Sequence, residues 1–176
     1  MCVPYVERHI RAFVHGDNFT TLGSRKQLDG FKGRIESKSK IKYKGRLGTR
    51  DTDIKSVRIL NRIVTLTSEG IDYESDQRHA KIIVKQTGLK EDSKAVATPV
   101  IRVKPGEVPG GEKEIGPQEQ TVFRGIVARA NYLGQDRSDI RFAVKELSRR
   151  MAKPRIRDVA AAERLARYLA TRMRMI

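Results

Sequence analysis

The fold of the first part of the chain is decided by the stretch Phe13-Val14-His15-Gly16-Asp17-Asn18-Phe19. Apolar, β-branched and aromatic residues flank a Gly-Asp-Asn tip, and the apolar pattern resumes through Leu22. Such residues favour strands, while Gly and Asn tolerate the positive φ angles of a tight turn. The pattern predicts a β-hairpin with the carboxylate of Asp17 at its turn. An ordinary hairpin without chemistry is the alternative.

The charge of the chain indicates the kind of partner. Lys and Arg number 37 against 21 Asp and Glu, which gives a formal net charge of +16 over 176 residues. This excess is more than solubility requires and indicates a polyanionic partner. An anionic membrane surface is disfavoured because the basic residues are spread through several segments and do not form one amphipathic face. Nucleic acid is therefore the expected partner.

The cysteine content and the lack of a signal peptide or long apolar run indicate where in the cell the protein is located. The single Cys2 excludes an internal disulfide framework, and three irregularly spaced His residues offer no zinc motif. No signal peptide precedes the hairpin, and no apolar run approaches the roughly 18 residues of a membrane span. The sequence therefore predicts a cytoplasmic or nuclear protein that is neither secreted nor membrane-bound. Both ends of the chain look cut from something longer.

The segment after the hairpin is expected to form a helix. Ser24 and Gln27 form a capping box, and apolar residues at helical spacing extend the pattern to about Ser37. Gly30 and Gly33 each weaken a helix by about 1 kcal/mol relative to Ala. We therefore expect packing against a sheet to hold this helix.

Residues 38–47 alternate with period two and predict a strand with one wholly basic face. An aligned row of cations releases counterions from a nucleic-acid backbone, which makes this face a candidate phosphate-tracking surface. A solvated edge strand whose lysines guard against aggregation is an equally weighted alternative. The basic face comprises Lys38, Lys40, Lys42, Lys44 and Arg46.

The pattern further along predicts a second hairpin, a helix, a linker and a helical region. Residues 57–66 read as one strand that returns through 71–73, and a helix starts near Asp76 and ends at Gly88. Proline and glycine are concentrated in a predicted linker at 90–118. Three amphipathic helices are expected in 119–176.

Three further stretches carry recognisable sequence patterns, namely Phe123–Leu133, Asp136–Val144 and Arg164–Leu169. Together with the segments above, and in this chain order, they resemble the later part of the reverse transcriptase of copia-type LTR retrotransposons. The strongest match is Phe123–Leu133, which resembles the family motif Tyr-Arg-x-x-x-Gly-x-x-x-Tyr-Leu. Asp136–Val144 and Arg164–Leu169 resemble the motifs Arg-Pro-Asp-Ile-x-Phe-Ala-Val and Arg-x-x-Arg-Tyr-Leu, with Ser138 in place of the proline. Upstream, Val14–Asn18 resembles the Tyr-x-Asp-Asp catalytic hairpin. Positional matches are Leu60–Ile63 at the primer-grip strand, Asp76–Ala80 at a Gln-rich helix start and Val96–Pro99 at a Thr-Pro linker.

This resemblance implies an α+β fold. Residues 1–89 would form a partial polymerase palm, made of antiparallel β-hairpins with a packed helix, that carries the catalytic-type and primer-grip-like hairpins. Residues 119–176 would form an α-helical thumb or connection segment. Asn61 and Arg62 would contact nucleic acid from the primer-grip position, and the implied partners are an RNA template, a DNA primer and deoxynucleoside triphosphates.

The resemblance also implies nucleotidyl transfer by two metal ions, with Asp17 and Asn18 at the catalytic positions. Asp17 would be a ligand of Mg²⁺, which prefers oxygen donors. Asn18 stands where the family has a second Asp and brings no negative charge. The remaining catalytic Asp belongs to upstream fingers and palm strands that the sequence lacks, as it lacks the downstream RNase H acids. We therefore expect a reverse transcriptase fragment that does not polymerise alone.

Two other functions stay open on the sequence. The chain could be a non-catalytic basic module that binds nucleic acid through phosphate contacts, or a decayed retroelement remnant without a selected role. Several side chains have structural interpretations as well. His15 is expected to pack, and Tyr132, Phe142 and Tyr168 are expected in the core. Arg124, Arg129, Arg137 and Arg141 lie either against nucleic acid or on a solvated helix face.

Overall fold

The computed structural model describes the backbone of residues 2–5 and residues 10–89, 93–100, 108 and 110–173. The fold is mixed α+β, with two three-stranded antiparallel sheets and five α-helices in this part of the chain. The chain divides into two compact units, Met1–Ile59 and Leu60–Ile176, hereafter the first and second units. The elements are β1 (Cys2–Tyr5), β2 (Ile10–His15), β3 (Asn18–Leu22), α1 (Arg25–Glu36), β4 (Ser56–Ile59), β5 (Arg62–Leu66), β6 (Ile71–Glu74), α2 (Gln77–Gln86), α3 (Pro117–Leu133), a 3₁₀ turn (Ser138–Ile140), α4 (Arg141–Ser148) and α5 (Ile156–Thr171).

The predicted hairpin is confirmed in the first unit. β2 and β3 pair in antiparallel register with His15 opposite Asn18, which leaves Gly16 and Asp17 as the two turn residues. Gly16 has a φ of 58°, a value that favours glycine at this position. The sequence did not reveal β1, which pairs with β2 and makes the hairpin a three-stranded sheet in the order β1-β2-β3.

Helix α1 is confirmed, but its expected support is not. Ser24 is the N-cap, and its backbone N–H and hydroxyl both donate to Gln27 Oε1, at 3.2 and 2.7 Å. No residue of α1 is buried, so the helix lacks the buried apolar face that packing on a sheet would create. Two Arg–Asp ion pairs to the following loop, described below, link it to the rest of the unit.

The predicted strand over residues 38–47 is wrong. Residues 37–46 adopt turns and irregular backbone, and only an isolated parallel bridge joins Leu47 to Ile54. Gly45 has a φ of 137°, which lies outside the conformation of a strand. Alternation alone was a poor guide because Ile41, Tyr43 and Leu47 are too few apolar residues to make a buried strand face.

The predicted strand over residues 57–66 is in fact two strands. The chain reverses at Leu60 and Asn61, whose φ angles are 48° and 67°. Positive φ at both positions is the mark of a type I′ hairpin turn, which Asn accepts readily and Leu rarely. The resulting sheet has the order β4-β5-β6. Residues Leu60–Asn61, assigned to the primer-grip strand from the resemblance, therefore lie at a turn.

The second unit is built around one apolar core. Ala80 and Ile83 of α2 pack with buried residues of α3, α4 and α5, including Phe123 and Leu165. The caps predicted for α2 are confirmed, since Asp76 accepts from the Arg78 backbone N–H at 2.9 Å and Gly88 has a φ of 67°. All three helices predicted in 119–176 are present.

The boundary between the units differs from the sequence-based division at 90–118. α2 was assigned to the palm, but its apolar face is covered by α3 and α5, so it belongs to the helical unit. Part of the predicted linker also packs there. Ile115 is buried in the core, and Glu114 forms an antiparallel bridge with Arg155.

Candidate nucleic-acid interface and hairpin tip

The hairpin tip places two oxygen donors side by side at the surface. Asp17 and Asn18 are exposed, and Asn18 Nδ2 donates to Asp17 Oδ1 at 3.0 Å. His15 is also exposed, so the prediction that it packs is wrong. The turn therefore presents one carboxylate, one oxygen of which is already engaged by its neighbour.

The donors available for a metal do not fit a two-ion site. Across the part of the chain that the structure describes, no group of three or more His, Cys, Asp or Glu side chains is placed to hold a metal ion. Two divalent ions need several charged oxygen ligands to bridge phosphates and stabilise an in-line displacement. Asp17 supplies one carboxylate and Asn18 one neutral amide oxygen.

The basic residues predicted to bind phosphate separate into two groups. The first group is exposed, and no carboxylate in the described ranges lies within ion-pair distance of its amino groups. We call residues 38–44 the lysine segment; its exposed cations are Lys38, Lys40, Lys42 and Lys44. Arg46 is different, because it forms an ion pair with Asp29 of α1 and its side chain is largely covered.

Two ion pairs hold the loop after the lysine segment against α1. Arg46 contacts Asp29, and Arg25 Nη2 lies 2.5 Å from Asp53 Oδ2. Helix α1 contributes Arg25 and Asp29, and the loop contributes Asp53 and Arg46, so each cation faces a carboxylate across the contact. We call these two pairs the clasp. A cation–π contact adds to it, with Lys32 Nζ at 4.1 Å from the centre of the Tyr43 ring.

The clasp keeps its carboxylates charged. The hydrogen bond from Arg46 lowers the pKa of Asp29 and raises the pKa of Arg46. Burial raises the pKa of Asp53, but hydrogen bonds from the Arg25 side chain and the Arg50 backbone outweigh it, so the pKa ends below its usual range. Because both carboxyl pKa values are lowered in the folded state, the clasp is retained above about pH 4 and weakens as the pH falls through the folded-state values.

Two glycines make room for the clasp loop. A Cβ on Gly48 would lie 2.4 Å from Asp53 Oδ2, and a Cβ on Gly45 would lie 2.8 Å from Ile54 Cδ1. Since van der Waals contact begins near 3.4 Å, neither position accepts a side chain without displacing its neighbour. The spacing of these glycines is the sequence signal that could have argued for a folded loop in place of a strand.

The two predicted primer-grip residues have different environments. Asn61 is exposed at the hairpin turn. Arg62 instead faces inward within the second unit, where its Nε lies 2.8 Å from Asp136 Oδ2 and its guanidinium lies 5.9 Å from the Tyr132 ring centre. The hydrogen bond to Asp136 raises the pKa of Arg62. Tyr73 also donates to Asp136, at 3.1 Å.

One arginine of the helical unit is buried, which the sequence did not reveal. Arg137 is 1% exposed and donates to both oxygens of Asp139, at 2.9 and 2.7 Å, and to the backbone oxygen of Arg172, at 2.9 Å. Tyr168 completes the network by donating to Asp139 Oδ2 at 2.9 Å. Arg137 is therefore a structural residue and not a surface contact.

The aromatic residues expected in the core do not all lie there. Tyr168 is buried and Tyr132 half-buried, but Phe142 is 60% exposed. The prediction for Phe142 is wrong because α4 buries the opposite side, through Ala143, Val144 and Leu147.

Comparison with protein-family models, curated proteins and solved structures finds no match to this chain.

Among the described residues, none of the helices combines the length and the apolar character needed to cross a bilayer.

Proposed function

We propose that the chain is a palm-to-thumb fragment of a copia-type reverse transcriptase that binds nucleic acid through the lysine segment and does not polymerise by itself. The observation that carries the proposal is the row of four exposed lysines without a carboxylate partner in the described residues. The kinship is supported by the order of the motifs along the chain and by the position of Asp17 at a hairpin turn.

Phosphate binding follows from how the cations are distributed in the first unit. The arginines beside the lysine segment are engaged in the clasp, so their charge is largely neutralised locally. The lysines have no such partner among the described residues and gain most from a polyanion, because each phosphate contact releases condensed counterions into solution. Such contacts position a nucleic acid without reading its sequence. The natural ligand would be the template–primer duplex of a reverse transcriptase.

Catalysis is not expected from this chain alone. One carboxylate at the turn, with an amide beside it, cannot bind and neutralise two Mg²⁺ ions and the phosphates that they bridge. Asp17 would act as a metal ligand only if a separate segment supplied the missing acids. Deoxynucleoside triphosphates would then bind at the same place.

The binding proposal is tested by titrating a fluorescent RNA–DNA hybrid into the protein at several salt concentrations. We expect Lys38, Lys40, Lys42 and Lys44 all changed to Ser to weaken binding. The slope of log K against log salt should flatten by about 0.9 for each phosphate that the variant no longer neutralises, a value calibrated on duplex DNA. An unchanged slope would contradict the proposal.

A matched control separates position from net charge. The control variant removes four exposed lysines of the second unit by changing Lys81, Lys85, Lys113 and Lys153 to Ser. It has the same formal charge as the lysine-segment variant but keeps Lys38, Lys40, Lys42 and Lys44. If the lysine segment is the binding site, the control should therefore lose less affinity for the hybrid. Equal losses would show that net charge, and not the lysine segment, drives binding.

The catalytic part is tested by primer extension on an RNA template with Mg²⁺. We expect no extension by the wild-type chain alone, and no change on Asp17→Ala. Extension that disappears on Asp17→Ala would overturn the proposal that the fragment is inactive and would establish a working metal site at the hairpin.

A further inference from the structure

A groove in the second unit lies outside every site described so far. It is open to solvent, has a volume of about 800 Å³, and lies between the C-terminal end of α3 and one side of α4. None of the described residues that line it carries a carboxylate. The polar and charged lining residues are Asn131, Gln135, Arg141, Lys145, Ser148 and Arg149.

The lining is strongly cationic. Arg141, Lys145 and Arg149 are spaced by four residues, so they lie along one side of α4. Lys145 is exposed, and no carboxylate in the described residues lies within ion-pair distance of it. Arg141 donates to the backbone oxygens of Gly134 and Gln135 only at 3.4 Å, near the limit for a hydrogen bond. These two cations therefore retain most of their capacity for an anion.

Nearby acids do not cancel this charge. Glu146 pairs with Arg149 at 2.8 Å and offsets that one cation. Asp136 and Asp139 are engaged by Arg62 and Arg137. The groove therefore keeps a net positive charge.

An exposed aromatic side chain lies on the same helix as the cations of the groove, although it is not itself one of the lining residues. Phe142 follows Arg141 and precedes Lys145 by three residues, so it flanks the cationic side of α4. It is 60% exposed, while the core of the unit is filled by other residues. A large exposed ring next to unpaired cations is the combination that binds single-stranded nucleic acid. The ring stacks on a base and the cations hold the adjacent phosphates.

We propose that this α3–α4 groove binds single-stranded nucleic acid. An unpaired base stacks on Phe142, and Lys145 with Arg141 contacts the flanking phosphates. The amide of Gln135 supplies a hydrogen bond to the base or sugar, whereas Asn131 is hydrogen-bonded to Ser148 within the lining. A flat apolar docking surface for a protein fits less well, because most of the lining residues carry polar or charged groups and Phe142 is the one large exposed apolar residue described on α4. This inference goes beyond the lysine segment, which lies in the other unit and contacts phosphates only.

The inference is tested with the full chain and two strands of equal length and charge, an oligouridine and its abasic counterpart. Stacking requires a base, so the wild-type protein should prefer the oligouridine. Phe142→Leu keeps an apolar side chain without a ring, and we expect it to lose about fivefold or more in affinity for the oligouridine, the lower range for one stacked base. Its affinity for the abasic strand should not change.

Two further variants sharpen the result. Lys145→Gln should weaken binding to both strands equally and flatten the salt dependence, because it removes a phosphate contact. Val122→Ala, at a 47% exposed apolar position on α3, is the matched control and should leave both affinities unchanged. Thermal melting checks that each variant folds, which is expected because all three side chains are exposed.

The inference is overturned if Phe142→Leu binds both strands as the wild type does. It is also overturned if Phe142 governs self-association of the chain, measured by sedimentation, without any base preference. The lysine-segment variant distinguishes this inference from the proposed function. If that variant has the same salt slope as the wild type and keeps the Phe142-dependent base preference, binding by the lysine segment is contradicted and binding at the α3–α4 groove is supported.

Discussion

The first unit buries only Ile10 and Ala12 among its described apolar residues, whereas the second unit encloses a core that draws on four helices. In the first unit the clasp joins α1 to the loop that follows the lysine segment. Apolar burial contributes roughly 25 cal/mol per Å², while exposed ion pairs contribute about 0–1 kcal/mol. The comparison indicates that the second unit is the stable body of the chain.

The largest expected effect concerns ion pairs in the two units. Arg137→Met removes the buried cation, leaves the largely covered Asp139 with only the hydrogen bond from Tyr168, and should cost about 3–5 kcal/mol of the free energy of unfolding. Asp29→Asn breaks a pair at the surface of the first unit and should cost far less. Urea titration followed by circular dichroism measures both. Equal losses would contradict the distinction between buried and exposed pairs.

The Arg137–Asp139 pair also predicts a pH dependence. Burial raises the pKa of Asp139, but the hydrogen bonds from Arg137 and Tyr168 outweigh it and leave the pKa lowered. A lowered folded-state pKa means that the stabilisation is present above about pH 4 and is lost as the pH falls through the folded-state value. Asp139→Asn should remove this part of the acid sensitivity, measured as the difference in urea midpoints on either side of pH 4.

The next effect compares leucines in the two units. Leu165 is 0% exposed in the core, and Leu165→Ala should cost about 2–5 kcal/mol through weaker packing and a cavity. Leu22 is 67% exposed on β3, and Leu22→Ala should change stability by no more than about 0.5 kcal/mol. A large loss at Leu22 would mean that the first unit buries this residue in solution.

A smaller effect is a gain of stability in the first unit. Gly33 lies in α1, and a Cβ added there would meet no atom within 4 Å, so Gly33→Ala should stabilise the helix by about 0.5–1 kcal/mol. Gly48→Ala is the opposite case, because its Cβ would displace Asp53 from the clasp. Hydrogen exchange at α1 amides should slow in the first variant and quicken in the second.

The smallest effect concerns a histidine. His79 packs against Tyr132 with ring centres 4.5 Å apart, and burial, opposed by Asp76 and assisted by Arg78 and Arg129, lowers its pKa. Below about pH 6.5 the unfolded chain therefore binds a proton more readily than the folded one. The free energy of unfolding decreases as the pH is lowered, until the folded-state pKa is reached. His79→Gln should remove this slope from the unfolding midpoint between about pH 5 and 7.

Elements set by local chemistry were predictable from the sequence. The turn at Gly16, the capping box at Ser24 and the cap at Gly88 all depend on neighbouring residues, and all three are observed. The turn at Leu60 was missed because Leu seldom adopts positive φ, so the apolar run read as one strand. The strand break at Leu60 is set by the pairing of β4 with β5, which the pattern of apolar residues does not reveal.

The candidate site was predictable in part for the same reason. Exposure of the four lysines follows from their charge, but the engagement of Arg46 depends on Asp29, which is 17 residues away. The burial of Arg137 depends likewise on Tyr168 and Arg172, which lie much further along the chain. Phe142 lies off the apolar stripe formed by Ala143, Val144 and Leu147, so the helical spacing itself argued against a core position for it.

The lysine segment is tethered at both ends. At one end the backbone N–H groups of Lys38 and Ser39 donate to the carbonyl of Ile35, at 3.0 and 2.8 Å, and at the other end Arg46 is held by Asp29. Joining the ends of a flexible chain lowers its conformational entropy, and here that loss occurs during folding. Under the proposed function, a nucleic acid would meet a segment whose backbone is already confined, and this preorganisation would lower the cost of association. Arg46 would then strengthen binding without touching the nucleic acid.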